Sequence, residues 1–382
     1  MKFAEDSLLL CMLWLTACQS PNIRPAPEFD GDLIAAGRQE IAKAPAQDKN
    51  LYRLITALHA LKLGQHKVAR ELFDEAMPSA GQILKADAST RMAKSLFSPE
   101  NVKGFHGEPY ERAMGWFYRG VIYWMGGEAE NARACFRTAQ LMDALAEKAK
   151  YRADWVILDY LDGFITTKLG KDGAEALKRA QSNAGKNKLP DYDKNANVLF
   201  VLQTGFGPVK KSGGDVGEEL IYDGGYSGTQ SIRVTVKDQQ VTAPIFDNLT
   251  HQASTRGNRA MDMILARKAT VKKTADTIGD IGTVPGVILM DFEDTREAGL
   301  ALLGVGLIGK FIGGSVEPRA DTRTWNNLPQ HLSFTSLQLP PGKYQAIIEF
   351  LDGSGTALPE HQKNVMLNVQ TGRDTVMFVA DQ

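Results

Sequence analysis

The chain has 382 residues, of which 43% are hydrophobic and 23% are charged, and its net charge at pH 7 is −1. This length allows two or three domains with cores of their own, and the composition is ordinary for a soluble globular protein. A net charge near zero gives no electrostatic reason to expect nucleic-acid binding. Two of the three cysteines lie in the first 18 residues, so no disulfide framework is implied.

The N-terminal residues 1–17 have the pattern of a lipoprotein signal peptide. Residues 7–15, SLLLCMLWL, form an apolar run that is too short to cross a bilayer but has the length of a signal-peptide core. Leu15-Thr16-Ala17-Cys18 follows and resembles the bacterial lipobox, in which the cysteine becomes a lipidated N-terminus. The resemblance implies a lipid on Cys18, and the following Gln19, in place of an Asp, implies the outer membrane.

A linker and two domains are predicted after the leader. The prolines of residues 18–31 favour an extended tether. Helical patterns fill residues 32–190, and mixed strand and helix patterns fill residues 195–382. The polar stretch between them predicts the boundary between a helical domain and an α+β domain.

The helical region carries a clear helix–turn–helix pattern. Its positions are Trp116, Gly120, Tyr123, Gly127, Ala132, Phe136 and Ala139. Small residues at 120 and 132 predict a close approach of two antiparallel helices, and the large residues fill the space beside them. The pattern resembles the tetratricopeptide (TPR) repeat, with Arg119 where that repeat usually has Leu. Such repeats hold other proteins, so the resemblance implies a scaffold and not an enzyme.

Two further hairpins are predicted on weaker signals. One spans Leu51 to Ala76 with its turn at Gly64, and the other runs from Tyr151 to Ala180 with breaks at Gly163 and Gly170. Aromatic side chains of such repeats line partner grooves in some cases, although core packing is the better expectation here. The residues concerned are Trp116, Tyr118 and Trp124, and Cys135 is expected to be a small buried side chain.

The C-terminal region carries strand patterns. They are Val198–Leu202, Ser231–Val236, Leu332–Leu339, the segment AIIEFLD after Tyr344, Val365–Val369 and Thr375–Val379. The glycine-rich residues 213–228 predict a long loop. The last four strands predict a meander, and the turn Pro341-Gly342-Lys343-Tyr344 resembles those of small immunoglobulin-like or transthyretin-like β-sandwiches.

Two segments between these strands have other patterns. Residues 255–280 predict a basic amphipathic helix, which is either a solvated face or a contact for lipid or an acidic partner. Residues 298–314 contain Gly304, Gly306 and Gly309 at dinucleotide-motif spacing, but the required strand–turn–helix context is missing. A buried helix or hairpin is the preferred interpretation of this segment, and a membrane-dipping segment stays open.

No catalytic, cofactor or metal residue is predicted. Among the six histidines only His59 and His66 are close in sequence, and Gly64 separates them. Gly225 to Thr229 fails the pattern of a serine nucleophile elbow at its last position. The acidic cluster Asp291, Glu293 and Asp294 fits the start of a helix as well as a general acid or a metal site.

Three short blocks carry a wider resemblance. They are Thr204–Lys210, Arg256–Asp262 and Asp321–Pro329. With the lipobox and the hairpin pattern, they resemble a poorly characterised family of proteobacterial outer-membrane lipoproteins with an N-terminal TPR-like region and a C-terminal mixed domain. The resemblance implies an outer-membrane lipoprotein facing the periplasm that binds a protein of the cell envelope.

Six residues are predicted to be partner-binding or critical for the fold: Trp116, Tyr123, Arg256, Arg259, Arg323 and Trp325. Two alternatives stay open for the function. One is a structural component of a secretion or surface-appendage assembly, with residues 298–314 as a contact. The other is a glycan-acting envelope enzyme, whose acidic cluster would lie near Arg256 or Arg323.

Overall fold

The structure is a computed structural model that describes residues 32–81, 104–105, 107–144, 153–185, 187–213, 219–255 and 320–382, and the side chains of all these except 78–81 and 219. Its helices in this part of the chain are α1 (Leu33–Lys43), α2 (Lys49–Lys62), α3 (His66–Gly81), α4 (Pro109–Met125), α5 (Ala129–Asp143), α6 (Val156–Lys168), α7 (Ala174–Asn183) and α8 (Leu249–Ser254). Its strands are β1 (Val198–Thr204), β2 (Val209–Gly213), β3 (Glu219–Asp223), β4 (Ser231–Val236), β5 (Gln239–Asn248), β6 (His331–Leu337), β7 (Gly342–Leu351), β8 (Lys363–Val369) and β9 (Thr375–Ala380). The predicted α+β class is confirmed.

Three helical hairpins, α2/α3, α4/α5 and α6/α7, form the helical layer. Each turns at a glycine with positive φ, at Gly64 (72°), Gly127 (85°) and Gly170 (75°), a conformation that disfavours residues with a Cβ. The same long backbone bond closes each turn, for example Gln65 N–H to Ala60 O at 2.8 Å. The helices and turns predicted at 51–76 and 116–139 are therefore confirmed.

Gly120 sets the distance between α4 and α5. A Cβ at this position would lie 2.7 Å from Phe136 Cε1 and 3.1 Å from Ala132 O, so any larger residue would force the helices apart. Phe136 itself is fully buried. The predicted close approach of these helices is confirmed.

Gly163 does not break a helix as predicted. It lies inside the continuous helix α6, and the hydroxyl of Tyr192 occupies the space that a side chain at this position would need. An ideal Cβ on Gly163 would be 2.1 Å from that oxygen. The glycine is required by packing and not by a turn.

Seven strands form one curled sheet in the order β8-β7-β4-β5-β6-β1-β9, and β2 and β3 form a separate pair. β1 lies next to the edge strand β9 and pairs on both sides: Val201 is opposite Phe334 of the antiparallel β6 and beside Phe378 of the parallel β9. The predicted meander is wrong, because β6 and β7 are not neighbours and β9 returns to β1. The predicted loop over residues 213–228 is also wrong, since it contains β3.

The sheet separates two hydrophobic cores. Leu199 and Val201 of β1 face the helices in the first core, whereas Val198, Phe200 and Leu202 face the second core. The second core lies inside the curl of the sheet, against β4, β7 and β8. An apolar interior between strands is therefore present, but it belongs to one sheet and not to a separate sandwich.

The first core joins the two halves of the chain. It combines α1 to α8 with residues of β1, β5, β6 and β9, so the helical residues before 190 and the strands after 195 share buried surface. No helix in the described part of the chain has the length and hydrophobicity needed to cross a bilayer. The predictions for residues 1–17, 18–31, 256–280 and 298–314 fall outside the described residues.

Candidate functional site

A row of alternating arginine and aromatic side chains follows the outer side of α3 and α4. The Arg119 guanidinium lies 5.3 Å from the ring centres of both Trp116 and Tyr123, and Arg70 lies 4.7 Å from that of Tyr123. Residues 116, 119 and 123 are three and four positions apart, so they share one helix face. We call Arg70, Tyr123, Arg119 and Trp116 the arginine–aromatic row.

Ion pairs hold the row in place. Arg119 Nε is 2.7 Å from Asp74 Oδ1 on α3, and Arg70 Nη1 is 2.9 Å from Glu128 Oε1 at the start of α5. Arg119 also donates a hydrogen bond to the Tyr123 hydroxyl at 3.1 Å. Because the side chains are already ordered, a partner would lose little conformational entropy on contacting them. Trp, Tyr and Arg are the residues that dominate protein interfaces.

The opposite side of α4 is covered by the chain's own sheet. The Tyr118 hydroxyl donates to Gln203 Oε1 at 2.7 Å, and Trp124 Nε1 donates to Asp374 Oδ2 at 3.0 Å. Both aromatic side chains are at most 1% exposed. The expected core packing of these two residues is confirmed, and Cys135 is likewise buried, as expected.

Arg323 and Trp325 lie where the helices meet the segment before β6. Arg323 is 2.7 Å from both Asp48 and Asp321. Trp325 is 1% exposed, and its ring packs against Tyr118 with centres 5.9 Å apart. These contacts give both residues a role in the fold. Arg256 and Arg259 lie outside the described residues.

A buried ion pair that the sequence did not indicate joins these segments. Lys210 Nζ contacts Glu111 Oε2, with side chains that are 1% and 0% exposed. Lys210 also donates to Arg323 O at 2.8 Å, and Trp325 N–H donates to Glu111 Oε1 at 3.0 Å. Burial raises the pKa of the Glu111 carboxyl, and the ammonium of Lys210 opposes that rise.

Two of the three sequence blocks therefore come together in space. Gly207 N–H donates to Leu328 O at 2.8 Å, and Lys210 N–H donates to Thr324 Oγ1 at 3.2 Å. The third block, from Arg256, begins beyond the described residues. Glu111 and Lys210 are 99 positions apart, so no local pattern could have linked them.

A cleft of about 450 Å³ opens beside α6 and α8. Its lining is mostly polar: Asp154, Val156, Ser182, Asn183, Ala184, Asn187, Phe246, Asp247, Asn248, His251 and Gln252. Asp247 accepts hydrogen bonds from the backbone N–H groups of Val156 (3.1 Å) and Ile157 (2.7 Å). It therefore stabilises the start of α6.

The titration of Asp247 is shifted in this cleft. Burial raises its pKa to about 7, against the opposing effect of the two backbone hydrogen bonds. His251 Nε2 lies 3.7 Å from Asp154 Oδ2 at the rim. Asp247 lies near the end of β5, directly after Ile245 and Phe246, and no motif in the sequence indicates a role for it.

The cleft and the arginine–aromatic row are the two candidate functional sites among the described residues. Within the ranges that the structure describes, no three His, Cys, Asp or Glu side chains are grouped so that they could hold a metal ion. The cleft carboxylate already binds a helix terminus, whereas the arginine–aromatic row is partly exposed. The row is therefore the better candidate for function. Comparison of the chain with protein-family models, curated proteins and solved structures found no match.

Proposed function

We propose that this protein is a lipid-anchored scaffold of the cell envelope that binds a protein partner through TPR-like helices. The arginine–aromatic row is the observation that carries the proposal. It combines Trp, Tyr and two Arg side chains, all held by neighbouring contacts, on the side of the helices that the sheet leaves free.

The helical hairpins support the interpretation of this region as TPR-like. Three of them follow one another, with an equivalent glycine turn in each. The spacing of Gly120, Ala132 and Phe136 resembles the repeat signature, and Gly120 lies against both of the other residues. The sheet fills the side of α4 that faces it, so the partner binds on the outer side.

The lipobox supports the lipid anchor, and the prolines of residues 18–31 support the extended tether. Asp32 caps α1, because its carboxylate accepts hydrogen bonds from Ile34 N–H (2.9 Å) and Ala35 N–H (3.1 Å). The first described helix thus begins at Leu33, shortly after the predicted tether. As an extended linker of about 3.1 Å per residue, residues 18–31 would place the start of α1 up to roughly 40 Å from the lipid on Cys18.

The test is a crosslinked pull-down from detergent-solubilised membranes. The baits are the wild type, Trp116→Ala and Tyr123→Ala, with Leu141→Ala as a matched control because Leu141 is 53% exposed on α5 outside the row. Thermal melts show that each bait is folded. We expect one envelope partner whose recovery falls roughly 5- to 30-fold with each row variant, as for an interface hot spot of about 1–2 kcal/mol.

The anchor is tested separately with Cys18→Ala. We expect this variant to leave the membrane fraction while it still binds the partner in detergent. Equal recovery by the row variants and by the control would refute the proposed binding surface. A wild-type protein that stays in the soluble fraction would refute the anchor.

A further inference from the structure

The β2–β3 pair presents an exposed face of mixed character. Val209 lies opposite Asp223, and Lys211 lies opposite Ile221. Val209 and Ile221 are 45% and 46% exposed, and the side chains of Lys211 and Asp223 are each 55% exposed. The four residues are the hairpin face. Its apolar members occupy one diagonal and its charged members occupy the other.

The body of the protein holds this face outward. The opposite side of the pair carries Lys210, which is bound to Glu111, and Tyr222, whose ring packs edge-on against Tyr110 with centres 5.9 Å apart. Two backbone hydrogen bonds of 2.8 Å between Phe206 and Tyr226 close the base of the pair. The orientation of the hairpin face is therefore fixed before any partner arrives.

We propose that the hairpin face binds the same face of a second copy of this chain. The argument is charge complementarity about a twofold axis along the Val209–Ile221 diagonal. Such an axis places each apolar side chain on its own counterpart. Lys211 and Asp223 already form an exposed ion pair within the chain, and the axis also brings Lys211 of each copy close to Asp223 of the partner copy. Isologous contacts of this kind are the rule in homodimers.

The strand geometry is compatible with this packing. With a rise of about 3.4 Å per residue and strands about 4.8 Å apart, the diagonal lies roughly 35° from the strand direction. The strands of the two copies would then cross at about 70°, which is close to the orthogonal class of sheet packing. An axis along or across the strands would place a charge on an apolar side chain, and an axis along the Lys211–Asp223 diagonal would place each charge on its like charge in the second copy.

The size of the face predicts a weak dimer. The hairpin face consists of four side chains, whereas stable complexes bury about 800 Å² per partner. We therefore expect dimers at high local concentration, as a shared membrane surface would provide. The dimer rests on contacts of its own and does not depend on the partner-binding row.

Charge reversal tests the pairing directly. In sedimentation equilibrium of the purified full chain, the wild type should dimerise with rising concentration. Lys211→Asp and Asp223→Lys should each weaken self-association at least tenfold, because every pair across the axis becomes a like-charge pair. An equimolar mixture of the two variants should dimerise at least as tightly as the wild type, since an acidic face then meets a basic one.

Controls separate this face from other contacts. Lys343→Asp, at an exposed position of β7, should leave dimerisation unchanged, and so should Trp116→Ala in the row. Val209→Cys should crosslink to itself on mild oxidation, because the axis passes through it; the unsubstituted chain gives the background from its own cysteines.

Three outcomes would overturn the proposal. The first is a wild type that stays monomeric up to about 1 mM, which corresponds to less than about 4 kcal/mol of binding free energy. The second is an equimolar mixture that dimerises no better than the single variants, and the third is a Val209→Cys variant that does not crosslink.

Discussion

Replacing Lys210 with Met tests whether the buried ion pair joins the two halves of the chain. The substitution removes the counter-charge of Glu111, which is fully buried, and the bond to Arg323 O. Two donors to the Glu111 carboxylate remain, from the backbone N–H groups of Trp325 (3.0 Å) and Glu108 (2.7 Å). Breaking one side of a buried pair costs about 3–5 kcal/mol, and these remaining bonds place the expected loss near 3 kcal/mol.

The assay is the free energy of unfolding in urea. The matched control is Lys211→Met in the same strand, whose pair with Asp223 is solvent-exposed on both sides and should contribute at most about 1 kcal/mol. The double variant Lys210→Met/Glu111→Gln should recover part of the loss, because no buried charge remains. Equal small losses for both lysine variants would show that the pair does not stabilise the fold.

The loss should also depend on pH. The folded-state pKa of Glu111 is already raised, and removing Lys210 raises it further. A carboxyl with a raised folded-state pKa destabilises the protein as the pH rises through that pKa, because the unfolded chain releases its proton more readily. Lys210→Met should therefore lose more stability at pH 8 than at pH 5, and a loss that is independent of pH would contradict the argument.

Two further predictions follow from packing and titration. Gly120→Val should cost about 1–3 kcal/mol by overpacking against Phe136, measured as a lower melting temperature, whereas Leu141→Val on the exposed side of α5 should cost little. Because Asp247 has a folded-state pKa of about 7, above its unfolded value, the wild type should lose stability between about pH 4 and pH 7. Asp247→Asn should flatten that part of the melting-temperature profile, and an unchanged profile would show that another group controls it.

Local patterns predicted the helices because the information lies within a few residues. The turn glycines Gly64 and Gly127 each follow an apolar helical pattern, and the positive φ that they supply is a local need. Ser231–Val236 alternates because one side of β4 is buried in the second core. These elements follow from short-range periodicity alone.

Strand pairing and the buried ion pair depend on distant residues. β1 is a plain apolar run, and nothing in it indicates that its neighbours are β6 and β9. The many glycines of residues 213–228 predicted a loop in place of β3, although Ile221 and Tyr222 are typical strand residues. Lys210 and Lys211 are adjacent and chemically identical, and only the pleat of β2 sends one inward and the other outward.

The partnership of β9 with β1 has a consequence for how the chain folds. Trp124 of α4 donates its hydrogen bond to Asp374, 250 positions later, and Lys62 reaches Asn327, 265 positions later. Such a high contact order delays closure of the first core until residues 375–380 are available. A nascent chain therefore stays incompletely folded until these C-terminal residues have been synthesised. Deleting β9 should leave helices that form locally but expose the inner sides of α2 and α4, which pack against it.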